Sequence, residues 1–230
     1  MESQRRSSSV RFATCSLVPD MRTVTFKNVY VQARSAVVGP LEKEGPLGSL
    51  FDKSYEDAYC GESSFEKAER VLLGDAVDLT LRKAGKGVQD IDLLVGGDLI
   101  NQLTSSHYFA KDLEVPFLGM YGACSTSSLV IGTGAVWVEH GLARQVLAFT
   151  SSHVATAERQ FRFPNEYGIQ KKETTTSTVT GAGAALLSNE KSNIRVAAFT
   201  PGRIVDWDHK DANDMGLAMA PAAYDTITQH

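Results

Sequence analysis

From Val115 to Val138 the chain carries no charged residue, and the stretch is long enough to cross a membrane. Its interruptions restrict what it can become: Pro116, four glycines and the polar run Ser125-Thr126-Ser127-Ser128. A helix facing lipid is more uniformly apolar. A buried strand over Val115–Tyr121, a turn, and a buried helix over Ser125–His140 closed by Gly141 account for the same residues. No transmembrane segment is therefore expected, and the chain should hold this stretch inside a protein core.

The flanking sequence supplies that core. Thr23–Val31 alternates apolar and polar residues as a half-buried first strand does, and Val37–Ser49, with two prolines and three glycines, reads as loop. Ser64 can cap a helix starting at Phe65, whose apolar face is Phe65, Ala68, Leu72, Ala76 and Leu79, with Gly85 as its stop. Ile91–Val95 is a short apolar run stopped by Gly96-Gly97, the pattern of a parallel strand buried on both faces. A short helix over Ser105–Leu113 and a strand over Gln145–Thr150 follow. Ser152–Glu173 is too polar and irregular for a core element. Ser177–Ser188 and Asn193–Val205 read as two adjacent antiparallel strands, and a last helix begins near Asp211. Strands alternating with helices predict an α/β fold with a largely parallel sheet.

Composition narrows the partners. The net charge of −4 is uneven, since residues 1–34 hold six Lys/Arg against Glu2 and Asp20 and the remainder is acidic. An acidic body lacks the basic patch of a nucleic-acid-binding surface, so no nucleic acid is expected. Cys15, Cys60 and Cys124 lie far apart without a CxxC, which suits a reducing compartment and offers neither a disulfide framework nor a metal site. Residues 1–22 are Ser/Arg-rich without the apolar run of a secretory signal, and are expected to form a disordered leader.

Cys124 is the leading candidate for chemistry. It falls between an expected strand and the first turn of an expected helix, where unpaired N–H groups and the helix dipole favour negative charge. The same N–H groups could hold the oxyanion of a thioester-forming step. Gly122, Ala123, Gly132, Gly134 and Ala135 would let the helix sit close to neighbouring backbone. Asp98, at the C-terminal end of a strand where ligands of parallel sheets gather, is a weaker pocket candidate. His153 lies just past a strand end; Arg159 and Arg162 could fork onto a carboxylate, while Lys171 and Lys172 read as solvated loop charge.

Six runs, in order, carry a resemblance: EKEGPLGSLFD (Glu42–Asp52), GDLINQ (Gly97–Gln102), GACSTS (Gly122–Ser127), SSHVATAERQFRFPNEYG (Ser151–Gly168), TSTVTGAGA (Thr176–Ala184) and DMGLAMAPAAYDTI (Asp214–Ile227). Together they resemble the stage V sporulation protein AD family of endospore-forming bacteria, within the thiolase-like superfamily. The resemblance implies a thiolase-like fold with the N-terminal βαβαβ half complete over 23–190 and a second half begun over 191–230 and truncated. It implies binding of dipicolinic acid, alone or as its calcium chelate, and a part in its uptake into the developing spore, together with other uptake proteins of the same operon. Cys124 would line the ligand pocket, at the position that in the superfamily is the acyl-accepting nucleophile.

The resemblance has departures. Condensing enzymes usually show Gly-Asp-Gly-Ala where this chain reads Thr180-Gly181-Ala182-Gly183, and their basic partners for the cysteine come from the second half. A non-catalytic binding module without cofactor is therefore expected, with an acyltransferase forming an acyl-enzyme on Cys124 as the alternative. The expected location is cytoplasmic or peripheral at the spore inner membrane, reached through partner proteins, and the expected assembly is a homodimer.

Overall fold

A computed structural model describes residues 22–161, 177–211 and 214–230. The expected leader, Arg22 apart, lies outside the described residues, as do Arg162, Lys171 and Lys172.

The fold opens with a two-residue strand, β1 (Val24–Thr25), and the sheet strand β2 (Tyr30–Val38). A short helix, α1 (Pro40–Glu44), leads to β3 (Lys53–Ser54). The long helix α2 (Phe65–Ala84) starts where Ser64 predicts, its hydroxyl accepting from the Lys67 N–H at 3.3 Å. It stops at Gly85, left-handed at φ 64°, the conformation a glycine adopts without steric cost. A βαβαβ unit follows: β4 (Leu93–Asp98), α3 (Thr104–Lys111), β5 (Phe117–Gly119), α4 (Thr126–Glu139) and β6 (Gln145–Ser152). The chain continues through α5 (Val154–Phe161), β7 (Gly181–Ser188), β8 (Ala198–Phe199) and α6 (Met215–Gln229).

Six strands form one mixed sheet in the order β3-β2-β7-β6-β4-β5. Its parallel pairs are β2 with β3, β4 with β5 and β4 with β6, while β7 runs antiparallel to both neighbours, β2 and β6. Alternation along the central strands divides the core. Leu94, Leu147, Phe149 and Leu186 face α2 with its Leu72, Leu73 and Ala76. Val95, Val146, Ala148 and Leu187 face α4 with its Val130, Ala135 and Val138. Each leucine fully buried this way contributes about 1.5–3 kcal/mol, so α2 is held by its face more than by its propensity.

The sheet corrects several expectations. The strand expected at Thr23–Val31 is displaced: its main part is β2, reaching Val38, into the stretch read as loop. β4 does not stop at Gly96-Gly97 but runs through them to Asp98, and a methyl on Gly97 would overlap the Met120 carbonyl oxygen. Ser152–Glu173 was too polar on average to suggest a core element, yet its first part is α5, with Ala157 fully buried. Asn193–Val205 does not pair with β7, whose two edges are already occupied. It lies along the first strand instead, with Phe26 N–H donating to Ala197 O (2.9 Å), Val196 N–H to Val29 O (3.0 Å) and Val31 N–H to Ile194 O (2.9 Å). Only β8 emerges from it, antiparallel to β1. α6 is tied to this ribbon through Asp225, which pairs with Arg22 and Arg203, both at 2.8 Å.

Candidate functional site

The uncharged stretch folds as strand β5, a tight turn and helix α4, and among the described residues no helix is long and apolar enough to cross a membrane. Cys124 sits in the middle of that turn, the 3-10 segment Ala123–Ser125 running directly into α4. The turn is clipped by its own polar groups. The Ser125 hydroxyl donates to Gly122 O at 2.7 Å, the Thr126 hydroxyl donates to Ala123 O at 2.7 Å, and the Gly122 N–H donates back to Thr126 Oγ1 at 3.1 Å. Ala123 is forced left-handed, at φ 47°, which turns the next residue outward. The thiol is exposed at the mouth of the helix, between the strand and the first turn of α4; α4 buries one face and leaves Ser127 and Ser128 open.

Cys124 opens onto a cleft of about 600 Å³. Its walls are the ends of β2, β6 and β7, with Val38 and Val179 among the apolar residues and Thr126, Ser127, Thr150 and Thr178 among the hydroxyls. Met219 of α6 closes one side. No charged side chain, histidine or asparagine lines it among the described residues. What the cleft offers an anion is the N-terminal end of α4 and a set of hydroxyl donors.

Of the other expected site residues that are described, Asp98, His153 and Arg159, the structure brings none to that lining. Asp98, fully buried at the end of β4, accepts the N–H groups of Ser105 (2.7 Å) and Ser106 (2.8 Å), so its carboxylate caps α3. Burial raises its pKa, and the hydrogen bonds from Ser106 and Ser105 work the other way. His153 is fully buried with both ring nitrogens committed to backbone: Nε2 contacts Ala58 O at 2.7 Å and Nδ1 accepts the Ala155 N–H at 3.1 Å. A carbonyl accepts and an amide donates, so those partners select the neutral Nε2–H tautomer. Burial lowers the imidazole pKa, consistent with that state. Arg159 pairs with Glu66 and donates from Nε to Ala155 O at 3.3 Å, tying α5 to α2. Arg162 lies outside the described residues.

Glu69 escaped the sequence reading. It occupies the buried face of α2 at 1% exposure, with Oε1 accepting the Ser151 hydroxyl at 2.9 Å and Oε2 accepting the Thr156 hydroxyl at 3.1 Å. Burial first, and then the charge of Asp98, push its pKa up to about 7. Ser151 is itself part of the cleft wall. The available signal was a carboxylate between Ala68 and Leu72 on an otherwise apolar helix face.

Solved structures with the same chain path are thiolase-like synthases. Cerulenin-bound OleA of Xanthomonas campestris superposes with a TM-score of 0.57 at 14% identity, over 93% of this chain and 73% of that one. The 3-oxoacyl-(acyl carrier protein) synthase III FabH of Xanthomonas oryzae pv. oryzae gives 0.54 at 16% identity, over 90% and 73%. At these identities the likeness is one of fold, and it makes the chain a thiolase-like α/β protein with its cysteine at the head of α4. Within that class the chain belongs to the Stage V sporulation protein AD (SpoVAD) family, whose model matches residues 20–230. It is 50% identical over 202 residues, 88% of its length, to Stage V sporulation protein AD of Bacillus subtilis (strain 168), and spans 60% of that relative.

Proposed function

We propose that this chain binds dipicolinic acid in the cleft beside Cys124 and takes part in its uptake into the developing spore, as a binding module and not as a catalyst. The observation that carries the reading is the family match across residues 20–230, joined to an open cleft at Cys124, the one exposed cysteine among the described residues. The geometry supports it in two respects. Apolar walls suit the faces of a pyridine ring, while the α4 terminus and the hydroxyls of Ser127, Thr150 and Thr178 suit its carboxylates. Nucleophilic catalysis needs a base within hydrogen-bond reach of the thiol, and the described lining offers none.

The same proposal includes the calcium chelate as a second form of the ligand, other uptake proteins of the same operon as partners, contact with the spore inner membrane through those partners, and a homodimer. Calorimetry of the purified chain with dipicolinate, with and without calcium, tests it: saturable heat is expected, and none in either condition overturns it. The competing acyltransferase reading predicts a covalent adduct on Cys124 after incubation with an acyl-CoA, visible by mass spectrometry and lost in Cys124→Ala. Such an adduct would displace the binding-module reading.

A further inference from the structure

From the contact between Ser151 and Glu69 we infer that Glu69 is a positioning residue for the cleft: a proton on its carboxyl frees the Ser151 hydroxyl to donate to an anionic ligand, so that anion binding is coupled to proton uptake. This rests on the proposed reading of the cleft as a dicarboxylate site. Ser151 touches both sides of the device, forming part of the cleft wall and bonding to Glu69 Oε1 at 2.9 Å. While Glu69 is ionised it can only accept, so the single Ser151 proton must point inward, and the cleft is left facing serine lone pairs. Those repel a carboxylate. Once protonated, Glu69 can donate to Ser151 Oγ, and the serine proton is released to turn toward the ligand. The proton comes from solvent and stays on Glu69; no covalent bond other than that O–H is made or broken.

The electrostatics act in the same direction. An anion arriving in the cleft adds negative charge near a carboxylate that is already 1% exposed and repelled by Asp98, so its protonated form gains further. The elements packed against α2 carry these other charged or titratable groups: Arg34 on β2, Asp52 and Lys53 at β3, paired with Lys83 and Asp75 of α2, His107 and Lys111 on α3, the buried neutral His153 against Phe65, Glu158 and Arg159 on α5, and Asp98 at the end of β4, whereas β6 and β7 carry none. Of these, Asp98 is the charged group that raises Glu69, Arg159 being engaged with Glu66. Thr156, which bonds Oε2 at 3.1 Å, can remain in place in both protonation states.

Titration of metal-free dipicolinate at pH 6 and pH 8 tests the coupling, because the ligand stays a dianion over that range. With Glu69 half-protonated near pH 7, the competent fraction falls about tenfold between the two conditions, and the apparent Kd should rise about tenfold with it. Calorimetry in buffers of different ionisation heat should register proton uptake on binding at pH 8. Glu69→Gln, which keeps a side chain able to donate to Ser151 without titrating, should bind with little pH dependence. Ser151→Ala should lose most of the dependence, keeping only the share that direct repulsion between the anion and Glu69 contributes, while its thermal stability continues to report titration of Glu69. Binding that is equally tight at both pH values in the wild type, or a dependence that survives undiminished in Ser151→Ala, overturns the inference and leaves the cleft reading standing. Absence of binding at either pH overturns both.

Discussion

Cys124 and Cys60 are the same residue type in opposite settings. Cys60 is buried, and burial pushes its thiol up to about 11, helped by the charge of Asp57. Cys124 is exposed at the cleft mouth. Brief alkylation of the folded protein should therefore label Cys124 and spare Cys60, with dipicolinate slowing the reaction; peptide mass spectrometry reads both. Glu69 makes a second residue-level prediction, about stability. Its folded pKa near 7 exceeds the ordinary 4.5, so the folded protein holds a proton that the unfolded chain releases. The resulting stabilisation is complete below about pH 4.5 and is lost as pH rises to about 7, roughly 3 kcal/mol for a shift of this size. His153, lowered from 6.5, acts in the other direction, since its contribution is lost as pH falls from 6.5 toward the folded value. Comparing Glu69→Gln with the wild type cancels the histidine. Thermal melts should show the variant gaining on the wild type from pH 5 to pH 8, and a constant difference would contradict the assignment.

Helix α3 depends on an acceptor supplied from another element. Its N-cap residue, Leu103, is left-handed and has no side-chain oxygen, so Asp98 at the end of β4 takes the Ser105 and Ser106 N–H groups instead. Asp98→Ala should leave two buried donors unpaired and cost about 2 kcal/mol, after allowing for the repulsion on Glu69 that it relieves. A denaturant titration measures this; an unchanged midpoint would mean that water or another group replaces the carboxylate. Locally capped elements are the ones legible in the chain. Ser64 and Gly85 mark the two ends of α2, and Gly141 marks the end of α4, because each acts on backbone within a few residues of itself. Asp98 misled for the converse reason: the end of a parallel strand is where both ligands and helix caps gather, and nothing near it in sequence separates the two.

At the scale of the molecule, large apolar side chains collect on the late segment. Ile204 is 98% exposed, Trp207 and Tyr224 each 71%, and Ile227 73%. Surface of this kind marks association sites, so light scattering should show self-association of the purified chain rising with concentration, and a monodisperse monomer would contradict it. The α/β class, the helix faces and the strand–turn–helix around Cys124 follow from the amino-acid order, because periodicity, caps and glycines act over a turn or two of chain. Tertiary structure decided the rest: β7 entering antiparallel between β2 and β6, residues 194–199 lying along the first strand, and Glu69, Ser151 and Thr156 meeting in one buried cluster. Strand order and the partners of a buried carboxylate depend on which surfaces remain unoccupied once the layers close, and that information resides in no single stretch of sequence.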